Sequence, residues 1–592
     1  MTIPGATVPR SVRTWSEAWV SWSVTALVVI PLVTVFLPQR LALPTQAALV
    51  VVILSSHLFG FWRGGLPSLR ATPRAVVAGL TAYGAAAVWG VVVGVASGNP
   101  LRYVASQAVS MLLLPAGFTA YRLVRSFDGT TLVTGLSRAY IVAAAVHLSA
   151  FAIPWLRAPA REEVFRFVLR NNVSVLGTAV LGWILLVAAV ALGCRRRMVI
   201  AGLFAASILI VGGMSRGAWI TVVIGLVVIS LLGRPAGRVR RVLAVLCTGA
   251  VAIVGLVVFA AWAWQPVLIT RLAFDAPSDG GVSDNRDGRS SRSGELRLAP
   301  LDRGGRRVRL VHDLAIPTRN LEISWTCHGE PGTSLNFTAV FESDDTTETR
   351  RFTGLVVGEG GWSEFRTVVA APPHTTSLTM WISAGRRSGP WRIQNVEISG
   401  IESRIGAWSR QLLIRASSMA RSWTRPTVDG GVRYRVEEAR VVLDQLGDAS
   451  GMRRMVGAGL GATIPFEGLT WDDRGRRITG STASYLHSFY LFLMFKLGLM
   501  GVVALLGLAA IVWWTVRSLL WFRSSGRTPA ILLGSAASWL AFLVWSTTSP
   551  EIYDFMMAPL WGAMVAACVR RVDIDTTDAR SERERPPSRS GV

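Results

Sequence analysis

The residues of this chain best suited to chemistry are one histidine and a set of arginines at the edges of apolar segments. His487 opens SYLHSFYLFLMFKLGLMGV (484–502), which continues with Tyr490, the chain's single lysine, Lys496, and glycines at 498 and 501. Apolar packing requires none of these. Imidazole titrates near pH ~6.5 in water, so a neutral histidine at a wet boundary can accept the proton of a hydroxyl. Arg216 lies in GGMSRGAWI between two apolar runs, with Gly212, Gly213 and Gly217 beside it. Arg433 and Arg435 lie in RYRVEEARVVL, and Arg166, Arg170 and Asn172 in FRFVLRNNVSVLG. Guanidinium stays charged at a partly apolar boundary and binds phosphate oxygens through two parallel donors. Structural readings stand beside these. An arginine at a helix end snorkels to the interface, and a lone boundary histidine can simply hydrogen-bond a neighbouring loop.

Other signatures are missing. The chain has no Walker A sequence and no HExxH pair, which argues against an ATP-driven pump and the zinc peptidases. The aspartate pairs 344–345 and 472–473 sit in hydrophilic turns and read as solvated. Four cysteines, Cys194, Cys247, Cys327 and Cys568, show no zinc spacing, and Cys327 is alone in the long central loop. No metal or cofactor is expected.

The elements that must position these side chains are membrane helices. Of 592 residues, 51% are hydrophobic and only 16% charged, whereas soluble domains are about 25% charged. Apolar runs reach the roughly 20 residues needed to span a hydrocarbon core. Window hydropathy predicts about twelve, near 18–37, 44–62, 75–96, 103–121, 131–152, 173–193, 198–214, 217–233, 242–264, 489–516, 529–548 and 553–569. The net charge of +25 does not indicate nucleic acid. Its arginines collect in alternate short loops, at 63–74, 122–125, 195–197, 234–241, 517–527 and 570–571. That alternation predicts a multi-pass plasma-membrane protein with both termini in the cytoplasm.

The expected organisation follows. Residues 1–17 are a cytoplasmic tail, 18–264 carry nine spans, 489–570 the last three, and 571–592 a disordered tail. The loop between is extracytoplasmic. Within it, 265–295 read as a disordered linker rich in Ser, Asp, Gly and Arg. Residues 296–401 alternate apolar and polar side chains in short runs, the pattern of a β-sandwich. The order of these runs resembles jelly-roll carbohydrate-binding modules, in which Trp362, Trp381 and Trp391 could stack on sugars or fill the core. Residues 402–488 read as a helical segment followed by a catalytic loop, with the glycine cluster GAGLG between them.

Together these motifs resemble the O-antigen ligase and polymerase family of membrane glycosyltransferases. HSFYLFLMFKLGLMG is similar to that family's outer-loop signature, roughly H-N-x-Y-L then L-G-L-x-G, at unchanged spacing. His487, Tyr490, Leu491, Leu497, Gly498 and Gly501 fall on it, and Ser488 stands where Asn is usual. SRGAW resembles the arginine-bearing helix start. RVEEARVVL resembles the R-x-x-x-W segment, with Ala439 for the aromatic, and GAGLG resembles the G-x-G-x-G that follows. The β-domain is inserted where most members have only helices.

The resemblance implies a GT-C-like polytopic fold with an extracytoplasmic β-sandwich insertion. It implies transfer of a glycan from a polyprenyl-diphosphate carrier to a hydroxyl of a glycan, cell-wall or protein acceptor. Arg216 and Arg435 would steady the departing diphosphate without a metal, and His487 would take the proton. Arg433, Arg170, Asn172 and Tyr490 are candidate substrate contacts. Two alternatives belong to other classes. A lipid-linked glycan flippase would carry polar residues midway through several helices, where this chain has Ala, Val, Leu and Gly. A non-catalytic glycan-binding protein would need neither His487 nor Arg216.

Overall fold

The computed structural model describes residues 10–34, 45–57, 72–152, 173–233, 266–273, the strands between 290 and 401, parts of 406–413, 430–465, 482–483, 486–549 and 552–584, single residues excepted. The helices before the sheets are α1 (Arg10–Thr34), α2 (Ala48–His57), α3 (Arg74–Ala96), α4 (Leu101–Leu123), α5 (Gly129–Ala152), α6 (Val173–Ala191), α7 (Arg197–Gly212) and α8 (Arg216–Leu232). After the sheets come α9 (Gly430–Asp448), α10 (Gly451–Val456), α11 (Phe489–Leu497), α12 (Leu499–Ser524), α13 (Ala530–Trp545) and α14 (Ala558–Glu584).

Among the described residues, four helices are long and apolar enough to cross a membrane: α3, α4, the Gly129–Ser149 part of α5, and α12. Six shorter apolar helices accompany them: Ala18–Ile30, Ala48–His57, Leu176–Ala191, Arg197–Gly212, Gly217–Leu232 and Ala530–Trp545. The expected span at 242–264, and the candidates Arg166, Arg170 and Asn172, lie outside the described residues.

Glycines set how closely these helices pack. A Cβ on Gly79 of α3 would collide with the Gly507 carbonyl oxygen of α12, and one on Gly117 of α4 would stand 2.6 Å from the Pro559 carbonyl oxygen of α14. Lipid-facing helices gain little from the hydrophobic effect when they associate, so such close backbone approach carries much of their packing energy.

Three features depart from the expected organisation. The segment 489–516 is not one helix. It breaks at Gly498, whose φ of +55° is a conformation that L side chains rarely adopt. The sandwich begins earlier than 296. VLITRLA (β1, Val267–Ala273) alternates apolar and polar residues and pairs antiparallel with the last strand, so it belongs to the sheet rather than to the linker. At the carboxyl end, α14 continues as helix to Glu584, well into the expected tail, and Asp573 pairs with Arg122 at the end of α4.

The inserted domain is two antiparallel sheets. Its further strands are β2 (Ser290–Ser291), β3 (Glu295–Leu298), β4 (Val308–Ala315), β5 (Asn320–His328), β6 (Ser334–Glu342), β7 (Thr347–Val356), β8 (Ser363–Ala370), β9 (Ser377–Ala384) and β10 (Trp391–Ile401). One sheet runs β2-β3-β10-β5-β8 with β1 also on β10, and the other β4-β9-β6-β7. Alternate residues of both, including Leu321, Ile323, Trp325, Phe337, Phe341 and Met380, face each other and form the core. Trp391 is fully buried there, so it is a core residue and not a sugar platform. Trp381 is half-buried on β9, and Trp362 lies outside the described residues.

The segment after β10 connects the sandwich to the helices. Arg410 donates two hydrogen bonds to the Glu322 carboxylate, at 2.9 and 3.0 Å, while Leu412 packs on Val211 and Trp219 at the α7–α8 junction.

Candidate functional site

The bundle has two distinct ends. At one, Arg122 meets Asp573, Arg523 donates to the Leu231 carbonyl oxygen (3.4 Å), and Gly129 packs against Ile531 at the start of α13. That end collects the arginine-rich turns. The other end gathers the candidate residues around the carboxyl terminus of α13. The Phe489 N–H donates to the Ser546 carbonyl oxygen (2.9 Å) and the Tyr490 hydroxyl to that of Leu543 (2.6 Å). A Cβ on Gly217 would stand 2.5 Å from the Trp545 ring nitrogen. The helix starts that carry His487 and Arg216 therefore converge on Leu543–Ser546.

Each start is capped by a serine, which satisfies an otherwise orphan amide. Ser215 accepts from Ala218 N–H (3.5 Å), and Ser488 from Leu491 N–H (3.4 Å).

The centre of the site is a pair that sequence reasoning missed. Glu438 on α9 reaches His487 twice: its Oε1 lies 3.1 Å from Nδ1, and its Oε2 accepts the His487 backbone N–H at 3.0 Å. Glu438 is 2% exposed, whereas the His487 side chain is 33% exposed. A carboxylate in its ionised form only accepts, so against it Nδ1 is the donor and a neutral ring keeps its lone pair on Nε2. Each hydrogen bond to a buried charged acceptor contributes about 1.5–3 kcal/mol. A histidine oriented in this way by a buried carboxylate has the geometry that general-base chemistry uses. A signal did exist in RYRVEEARVVL. Glu438 stands four residues before the fully buried Val442 and so falls in the apolar stripe of an amphipathic helix. The arginines of the same stretch drew attention away from it.

The other candidates distribute as follows. Arg435 is exposed on α9, one turn before Glu438. Arg433 lies on α9 and Arg216 opens α8. Tyr490 uses its hydroxyl hydrogen on the Leu543 carbonyl, which makes it a strut of the site before any substrate contact. Lys496 does not snorkel. It is 0% exposed, and its ammonium donates to the Ala462 carbonyl oxygen.

GAGLG holds no phosphate cradle. Gly457, Gly459 and Gly461 all have positive φ, near +80°, and the N–H groups of the loop are used inside the fold. Ala458 donates to Phe495 O, Gly459 to Lys496 O, Leu460 to Gly90 O and Gly461 to the Gln107 side-chain oxygen, all at 2.8–2.9 Å. Asn99 adds two hydrogen bonds to the Ala458 and Leu460 carbonyls, at 2.9 and 3.0 Å. The loop locks α3 and α4 to the α11–α12 break.

Among the described residues no cluster of three or more His, Cys, Asp or Glu has the geometry of a metal site.

Comparison with known proteins gives little beyond this. No protein-family model matches the chain. No curated protein matches it either. Two solved structures are similar over about a quarter of it: the CBM22-1 xylan-binding domain of Paenibacillus barcinonensis Xyn10C (12% identity, 24% of this chain, 98% of that one, TM-score 0.17) and BiXyn10A CBM1 in its apo form (13%, 22%, 98%, 0.17).

Proposed function

We propose that the chain is an extracytoplasmic membrane glycosyltransferase that moves a glycan from a polyprenyl-diphosphate carrier to an acceptor hydroxyl, like the O-antigen ligases and polymerases its motifs resemble. The observation that carries this reading is the His487–Glu438 pair at 3.1 Å, at the end of the bundle opposite the arginine-rich turns. By the positive-inside rule the arginine-rich end would face the cytoplasm and His487 the outer surface of the plasma membrane.

In the reaction, the acceptor oxygen attacks the anomeric carbon and the bond from that carbon to the phosphate oxygen breaks. The hydroxyl proton passes to Nε2 of His487, and Glu438 steadies the imidazolium that forms. Negative charge grows on the departing diphosphate. Arg216, at the convergent helix start, and Arg435, one turn from Glu438, would offset it through bidentate hydrogen bonds. The acceptor is a glycan, a wall polymer or a protein.

The test compares lipid-linked glycans and surface polysaccharide lengths in intact, deleted and His487→Ala strains, with expression confirmed. Accumulation of lipid-linked glycan in the last two supports the reading. Products in the alanine strain that match the intact strain would refute it and favour transport or glycan binding.

A further inference from the structure

One charged side chain stands on an outward face of the helix bundle. Arg138 lies in the third turn of α5, on a stripe with Thr134, Ile141, Ala145 and Leu148, all partly or fully exposed. Spacings of three and four residues put these on one face. Both flanks of α5 are occupied. A Cβ on Gly135 would stand 2.7 Å from the Ser21 carbonyl oxygen of α1, and one on Gly202 of α7 2.6 Å from the Ser137 Cα. Positions 135 and 137 point to nearly opposite sides of a helix, and 138 falls in the arc between them, about 60° from the first and about 100° from the second. The stripe is therefore the floor of a groove between α1 and α7. Trp22, more than half exposed, forms the α1 rim, and Ala201 and Ile208, both exposed, lie on the α7 side.

Depth follows from the same contact. Gly202 is five residues beyond Arg197, so Ser137 and Arg138 lie about 7.5 Å inside the arginine-rich turn 195–197. A helical side chain leans toward its own amino end, which carries the Arg138 guanidinium back toward the level of lipid headgroups. Interfacial tryptophans occupy the same level.

The guanidinium is held in place, but its charge is not matched. Nη1 donates to Ser21 Oγ at 3.2 Å, and the guanidinium carbon lies 5.2 Å from the centre of the Trp22 ring. Ser21 is buried, so the arginine is turned into the α1–α5 seam rather than extended into water. Among the described residues no carboxylate pairs with it. A guanidinium has five N–H donors, and a charge at the edge of hydrocarbon is costly unless an anion meets it. The groove leads from this cation along an apolar floor, the order of groups in a phospholipid.

We infer that α1, α5 and α7 form a site for one anionic phospholipid of the leaflet at the arginine-rich end, its phosphate on Arg138 and an acyl chain along Ile141, Ala145 and Leu148. A zwitterionic headgroup brings its own ammonium to the phosphate, so a net-anionic one gains more from the arginine. The bound lipid touches both α1 and α5 and so fastens α1 to the bundle. The site lies at the opposite end of the molecule from His487 and stands whatever reaction occurs there.

The experiment is native mass spectrometry of the full protein from nanodiscs of equal parts phosphatidylglycerol and phosphatidylcholine, with thermal unfolding in each lipid alone. Arg138→Gln keeps an N–H donor and removes the charge, Arg138→Lys keeps the charge, and Arg197→Gln removes a neighbouring surface charge. Ala145→Trp, at an exposed position, fills the groove floor without touching the arginine. The unaltered protein should retain one phosphatidylglycerol that Arg138→Gln and Ala145→Trp release, the affinity of Arg138→Gln falling at least about tenfold. Arg138→Lys should fall between, and Arg197→Gln should keep the lipid. Phosphatidylglycerol should also raise the melting temperature above its value in phosphatidylcholine, a rise that Arg138→Gln loses. Retention of the lipid by Arg138→Gln or Ala145→Trp would overturn the inference, as would equal retention of phosphatidylcholine. So would an equal loss in Arg197→Gln, which marks surface charge at large, or a dimer that Arg138→Gln dissociates, which means that a second copy covers the groove.

Discussion

Replacing Glu438 with glutamine separates orientation from simple packing, because the side chain keeps its shape and loses only charge and symmetry. Both carboxylate oxygens are committed, one to the His487 N–H at 3.0 Å and one to Nδ1 at 3.1 Å. Glutamine offers one oxygen and one NH2. If the oxygen keeps the backbone N–H, the amide donates to Nδ1, which forces the ring proton onto Nε2 and removes the lone pair that should take the acceptor's proton. If the amide turns over, two donors meet at the backbone N–H and about 1–3 kcal/mol of stability is lost. The first arrangement is therefore preferred, and it costs the base contribution, about 10²–10⁴-fold in kcat, with KM little changed. The assay is turnover of a lipid-linked glycan by purified protein in nanodiscs, for Glu438→Gln, His487→Ala and the double variant. If the two residues act as one unit, the double variant is no slower than His487→Ala alone. Multiplying losses, or a Glu438→Gln enzyme within threefold of the unaltered one, would refute the assignment.

Three further outcomes are expected. Gly459→Ala should lower the melting temperature and the yield of folded protein, because φ at 459 is +79° and the new Cβ would collide with the Gly94 backbone; strain and overpacking each cost about 1–3 kcal/mol, and thermal unfolding reads them. Cys327 is fully buried and its thiol is pushed up to about 12, so maleimide should not label it in the folded domain; above pH ~9 only the unfolded chain loses this proton, so the sandwich should lose about 1.4 kcal/mol per pH unit, a slope that Cys327→Ala removes. Arg410→Met should destabilise the sandwich by about 3–5 kcal/mol, since Glu322 is 5% exposed and would keep, among the described residues, only Arg366 at 3.7 Å, whereas Glu322→Gln with Arg410→Met should recover much of this in protease resistance.

Much of the architecture is legible in the sequence because bilayers impose simple rules. Length and hydropathy alone mark α3, α4, α5 and α12, and period-two alternation marks β4, β5, β6, β8, β9 and β10 but not β7, TETRRFTGLV. What escaped was mostly set by partners distant in sequence. VLITRLA has only seven residues beside a polar linker, and its status as a strand depends on β10, more than a hundred residues later. The break at Gly498 is hidden from hydropathy, because the chain on either side is apolar enough to read as one span. For the site, the histidine stood out by its spacing to the glycines, whereas Ser488 read only as a departure from Asn and its cap became visible in the structure. Glu438 was not singled out, because its role depends on contact across 49 positions, and an acid in an amphipathic helix otherwise reads as solvated.

The break at Gly498 and the glycine loop explain each other. A helix interrupted within an apolar layer exposes carbonyls that lipid cannot satisfy, so such breaks persist only where protein supplies the donors. Here the carbonyls of Phe495 and Lys496, the last turn of α11, receive the N–H groups of Ala458 and Gly459. The Lys496 ammonium, buried in the same layer, returns a hydrogen bond to the loop at Ala462. Only positive-φ glycines let the loop come this close: a Cβ on Gly457 would stand 2.5 Å from the Lys496 carbonyl oxygen. The loop therefore makes a nine-residue α11 possible as a piece separate from α12. That freedom lets its amino end take its direction from Ser546, Leu543 and Glu438 rather than from a continuous span. A glycine cluster with no ligand of its own is in this way a determinant of where His487 points. Gly459→Ala, in whatever fraction still folds, should accordingly disturb kcat more than KM, although residue 459 lies in the loop and not beside the imidazole.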